Sequence, residues 1–222
     1  MVRERQLRRA LRFARPVLET RFDAAGVERM LEAMRRAYAE VGPHVPVLRS
    51  RFNRMTLAIA VDVLALFRAL RTELRADEAS ALVQPFVDGW MDGQFESPIA
   101  RFGYAHRPTH LLYRKLWFSS VNRADEPDGQ KFEFLPTEGT RFYGVDVVRC
   151  GITKFLTAMG APELTPFICR GDLHIQRYLP KGIAFRRTQV IADGGERCDF
   201  RYVETTPGGA GGGPGMPRPG SG

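Results

Sequence analysis

The chain has 222 residues, 44% of them hydrophobic and 26% charged, which is ordinary globular usage and excludes both a collagen-like and a wholly disordered polypeptide. The formal net charge is +8 and is carried almost entirely by arginine, with Lys115, Lys131, Lys154 and Lys181 as the only lysines. Such a charge fits an anionic partner, but no aromatic-interleaved basic motif and no zinc-finger spacing occurs, so nucleic acid is not the expected ligand.

Residues 1–22 form an Arg-rich N-terminal segment containing Arg3, Arg5, Arg8, Arg9, Arg12 and Arg15. The expected body of the protein is one α+β domain over 23–204, helical over 23–122 and mixed over 130–204. Val27, Met30, Leu31, Met34, Tyr38 and Val41 recur at helical spacing, with Asp23 as a start signal and Gly42-Pro43 as a stop. Met55, Ile59, Val63, Phe67, Leu70 and Leu74 predict a second helix. Asp77 is expected to cap a third carrying Leu82, Phe86 and Trp90, with Pro85 kinking it or ending its first turn. His110 to Val121 predicts a fourth. These stripes read as core. The most apolar run, Leu57 to Phe67, contains Asp62 and is too short to cross a bilayer.

The polar stretch Arg123 to Gly129 reads as a loop. Phe132 to Leu135 and Arg141 to Cys150 are expected strands. Ile152 to Met159 suits a short helix closed by Gly160, and Pro162 the first turn of another that runs through Cys169. Ile183 to Ile191 and Arg197 to Val203 are expected to pair as a hairpin across Asp193-Gly194-Gly195-Glu196. Residues 205–222 read as a disordered tail, since 206–222 hold eight Gly and four Pro.

Three cysteines, none in a CxxC pair, argue against a secreted disulfide framework, and the charged N-terminus lacks an apolar leader, so a cytoplasmic protein is expected. Along a helix from Pro162, Cys169 and Asp172 share one face. A carboxylate there can accept a proton or hold a cation. It also raises the thiol pKa unless a cation such as Arg170 or Arg187 balances it. His174 is a general base or a surface residue. On a strand, Cys198, Phe200 and Tyr202 share one face and Arg197, Asp199 and Arg201 the other. Cys198 then reads as a thiol at a site or as a small core residue, and the charged set as a carboxylate clamp with Arg187 or as a surface ion network. Cys150 closes a strand at a helix N-terminus, where the dipole favours a thiolate, or is structural. A zinc site from the three cysteines and His174 fits no known ligand spacing. No P-loop, GxGxxG, HExxH or GxSxG occurs, and no metal or cofactor is expected.

In order along the chain stand Cys150, Phe155, Gly160-Ala161-Pro162-Glu163-Leu164, Cys169-Arg170-Gly171-Asp172, Arg187-Thr188, Ala192, Gly194-Gly195 and Cys198-Asp199-Phe200. This series, over roughly 130–203, resembles the L-2-amino-thiazoline-4-carboxylic acid hydrolase family. Val190 departs from it, standing where a Thr is expected. The resemblance implies hydrolytic C–N cleavage of a cyclic amidine, yielding S-carbamoyl-cysteine in the founding activity. On that reading Cys169 or Cys198 supplies a thiolate nucleophile and Asp172 neutralises the amidinium or shuttles protons, assisted by His174 or Asp199. Arg187 and Arg201 hold the substrate carboxylate, and Cys150 lies in the binding site. A homo-oligomer is compatible with the sequence. The layout is also similar to the small ligand-binding domain of the vinyl-reductase type, which would make the chain a small-molecule or metal sensor without turnover.

Overall fold

A computed structural model describes residues 4–205, in which eight α-helices precede and flank a four-stranded sheet. The helices are α1 (Glu4–Leu18), α2 (Ala24–Val41), α3 (Arg51–Leu70), α4 (Ala76–Asp92), α5 (Pro98–Ala105), α6 (Arg107–Ala124), α7 (Gly151–Ala158) and α8 (Thr165–His174). The strands are β1 (Lys131–Leu135), β2 (Arg141–Arg149), β3 (Ile183–Arg186) and β4 (Cys198–Glu204). They run β1-β2-β4-β3 and every pair is antiparallel. The expected α+β class, helical first and mixed afterwards, is the observed one. The reading of the tail as disordered falls on residues outside the described range.

The apolar stripes account for the helical layer. Asp23 caps α2, its carboxylate accepting from the Gly26 N–H at 2.7 Å. Ser50 caps α3 in the same way through the Asn53 N–H at 3.3 Å. Thirteen of the twenty α3 residues are buried and lie on all its sides, so α3 is the central helix rather than a surface one. Leu64, Leu66 and Leu70 each contribute about 1.5–3 kcal/mol by leaving water. The segment set apart by its arginines supplies α1, whose Ala10, Phe13, Ala14, Val17 and Leu18 join the same core.

Two local readings are corrected. The third helix starts at Ala76, with Asp77 in its first turn, and runs unbroken through Pro85 to Asp92. Its buried Val83, Phe86, Val87 and Trp90 hold the helix across the missing hydrogen bond. β3 ends at Arg186, and residues 187–197 form a long connection rather than a tight hairpin. The ladder stops because other groups take the backbone donors. Asp199 accepts from the Thr188 and Gln189 N–H groups, each at 2.8 Å, and Cys198 Sγ accepts from the Ile191 N–H at 3.3 Å. Helix α5 falls on a stretch with no helical expectation.

One hydrophobic core joins α1–α4 with α7 and α8, and a second joins α6 to the sheet. Asn122 pins β1 to α6, exchanging two hydrogen bonds with the Phe132 backbone. Buried Glu126 ties the connection after α6 to the start of α3 through Asn53 Nδ2, at 2.9 Å, and the Arg49 and Ser50 N–H groups. Among the described residues no helix is long and apolar enough to cross a membrane.

Candidate active site

A cavity of about 480 Å³ lies where the two cores meet. Ile59, Trp90 and Ile168 wall it from the helical side, and Phe118, Phe132 and Val147 from the sheet side. All three cysteines and Asp172 line it. Cys150 arrives at the junction of β2 and α7, Cys169 and Asp172 from α8, and Cys198 from the first position of β4. Val147 and Cys198 are direct partners across β2 and β4, so both face the cavity, with Phe200 two residues on.

Gly171 does not end α8. It sits inside the helix, where a Cβ would come within 2.6 Å of Met91 Cε, and this close approach of α8 to α4 continues the helix through Asp172. Cys169 and Asp172 therefore stand one turn apart on the cavity wall. Burial pushes the Asp172 carboxyl up to about 6, against the pull of Arg187 and Arg114. A third of its side-chain surface still meets open space, which is the cavity that it lines. Burial also raises the Cys169 thiol far above its ordinary range, and the neighbouring Asp172 carboxylate adds to the rise. Cys198 is pushed up to about 11, again by burial, with the Ile191 N–H opposing. Both are therefore neutral thiols at rest, and neither is a standing thiolate.

The other residues singled out in the sequence divide by position. Arg187 does not line the cavity but stands behind it. Its Nη1 donates to the Cys169 carbonyl at 2.7 Å and reaches Asp172 Oδ2 at 3.4 Å. Asp199 is buried and holds the 187–189 segment, accepting also from Thr188 Oγ1 at 2.6 Å. Burial raises its carboxyl, but these hydrogen bonds outweigh it and hold the group below the usual carboxylate range. Arg201 points to the other sheet face, where Nη1 donates to Asp146 Oδ1 at 2.6 Å and Arg197 approaches the same carboxylate. His174 lies between α8 and α4, within 3.3 Å of Asp88 and 2.9 Å of Asp92, outside the cavity wall. Among the described residues no three His, Cys, Asp or Glu side chains are grouped to hold a metal ion.

Arg114 was not singled out by the sequence. It lies on α6, is buried, and among the described residues is the one cation lining the cavity. Its Nη2 donates to Tyr202 Oη at 2.7 Å, its guanidinium lies over the Trp117 and Phe118 rings at 5.1 and 5.0 Å, and no carboxylate pairs with it within 4.0 Å among the described residues. A buried polar strap supports it. Tyr143 Oη and His110 Nε2 are 2.6 Å apart, and His110 Nδ1 meets the Tyr104 carbonyl at 3.0 Å. Burial, with Arg114 nearby, lowers the His110 pKa to about 3, so the ring is neutral, donating from Nδ1 and accepting at Nε2. The sequence carried a signal: His110, Arg114 and Phe118 recur every four residues on the face that also buries Val121.

A family model described as L-2-amino-thiazoline-4-carboxylic acid hydrolase matches residues 52–202. The match therefore begins in α3 and takes in the helical cavity wall, well upstream of the motif series in the second half. No curated protein and no solved structure matches the chain.

Proposed function

The chain belongs to the L-2-amino-thiazoline-4-carboxylic acid hydrolase family, and from that premise we propose that its cavity hydrolyses a C–N bond of a cyclic amidine or amide borne by a small carboxylate substrate. One juxtaposition carries the reading. Cys169 and Asp172 stand a helical turn apart on the cavity wall, and burial pushes the Asp172 carboxyl up to about 6. A carboxyl in that range can take up and return a proton within one cycle at neutral pH.

At pH 7 Asp172 is mostly ionised and pairs with the protonated amidine. As Cys169 Sγ adds to the amidine carbon, Asp172 takes the thiol proton, which a neutral thiol must lose to attack. The adduct collapses with its ring C–N bond broken, and the departing nitrogen takes the proton from Asp172. Asp172 next deprotonates a water that adds to the sulfur-bound carbon, and Sγ leaves and regains its proton. Arg187 positions both groups through the Cys169 carbonyl and the Asp172 carboxylate. His174 and Asp199 take no part, because their polar atoms are engaged away from the cavity or in the 187–189 segment. Three free thiols suit a reducing, cytoplasmic setting.

The test is ring opening of the thiazoline acid, followed for wild type and for Cys169→Ala, Asp172→Asn and Cys198→Ala. Loss of about 10²–10⁴-fold is expected for the first two and little for the third. Wild type at the background rate would refute the hydrolase reading. Full activity in Cys169→Ala would remove the sulfur from the mechanism and leave Asp172 acting on water.

A further inference from the structure

The cavity is larger and more aromatic than a bare thiazoline acid requires. About 480 Å³ lies within the roughly 300–1,000 Å³ of sites that receive drug-sized ligands. Away from Cys169 and Asp172 the wall is largely apolar and includes Met55, Ile59, Trp90, Phe95, Tyr113 and Trp117. A small zwitterion would leave this gallery either empty or wetted, and neither is favourable against apolar walls.

The polar groups are equally selective. Among the described residues Arg114 and Asp172 are the only charged ones on the wall. The Arg114 guanidinium is a permanent cation whose Nη2 donates to a neutral group, Tyr202 Oη, and among the described residues no carboxylate stands within 4.0 Å of it. Among the described residues its Nε is buried without a hydrogen-bond partner, as are Tyr104 Oη and Trp117 Nε1 of the same wall. A buried cation that lines a cavity and is short of partners is a place for an oxyanion. The other arginines near the site are engaged, Arg187 with Asp172 and Arg201 with Asp146.

We propose that the ligand is an amphipathic carboxylate with an aryl or comparably large apolar body, its carboxylate on Arg114 and its body in the aromatic gallery. This rests on the hydrolase reading only for the identity of the reacting end, which faces Asp172 and Cys169. Binding and turnover are therefore measured separately.

Calorimetric titrations would use acetate, phenylacetate, indole-3-acetate and the neutral phenylacetamide against the full chain, Arg114→Met, and Ala100→Trp. Ala100 lies on the exposed side of α5 and also lines the cavity, so a tryptophan there narrows the gallery without entering the core. The aryl acids are expected to bind at least about tenfold more tightly than acetate or the amide. Arg114→Met should weaken the acids about tenfold or more and leave the amide unchanged. Ala100→Trp should weaken the aryl acids and spare acetate, which keeps the test open if Arg114→Met fails to fold. Acetate binding as tightly as the aryl acids, or aryl acids bound undiminished by Arg114→Met or by Ala100→Trp, would overturn the proposal. Aryl acids held by Arg114 in a protein that opens no thiazoline would sink the hydrolase reading alone.

Discussion

Asp172→Asn should make the protein more stable and less active, and the stability gain should depend on pH. Burial raises the Asp172 carboxyl from 3.8 to about 6. The folded state therefore holds a proton that the unfolded chain releases between about pH 4 and pH 6. Stability from this group falls as pH rises through that window and is constant above it. Two units at 1.36 kcal/mol each set a ceiling of about 3 kcal/mol, and water in the cavity reduces it to about 1–3 kcal/mol. The amide keeps an acceptor for Arg187 and carries no charge, so it removes the cost. Thermal unfolding of wild type and variant at pH 4 and pH 7.5 reads the effect. At pH 7.5 the variant should melt about 2–12 °C higher, at roughly 2–4 °C per kcal/mol for a chain of this size, and at pH 4 the two curves should nearly coincide. A variant that melts at or below wild type at pH 7.5, or one offset equally at both pH values, would refute the account of a carboxylate kept charged against its surroundings.

In Gly151→Ala the new Cβ would lie 2.4 Å from the Asp128 carbonyl oxygen, a backbone atom that cannot rotate away, so overpacking should cost about 1–3 kcal/mol, read as a lower urea midpoint at constant slope. Asp199→Ala strands the Thr188 and Gln189 N–H groups and should cost about 1–3 kcal/mol, with faster amide exchange at those two residues; unchanged exchange would show that the segment holds without its carboxylate. Cys198, raised to about 11 by burial, should alkylate at pH 7 at least about 100-fold more slowly than in the denatured chain, as followed by mass spectrometry; a rate like that of a free thiol would contradict its burial.

Much of the architecture was legible because hydrophobic periodicity is a local property. The stripe from Val27 to Val41 is α2, the runs after Gly129 are β1 and β2, and the three-residue offset of Cys169 and Asp172 places both on one turn of α8. The amphipathic alternation of β4 put Cys198 and Phe200 on one face and Arg201 on the other, as observed. Local rules misled where distant packing overrode them. Pro85 is carried by the apolar face of α4, and the β3 ladder is cut short because Asp199, ten or so residues on, takes its next donors.

The sequence by itself determined the fold class, most of the elements, the family and the pairing of Cys169 with Asp172, since these depend on residues close in the chain or on ordered motifs. Only the tertiary structure decided which charges are free. Arg201 is spent on Asp146 across the sheet, Arg187 on the back of α8, and Arg114, in the cavity between two cores, has no carboxylate within 4.0 Å among the described residues. Charge availability and the protonation of Asp172 depend on burial and on neighbours far apart in sequence, and no local pattern encodes those distances.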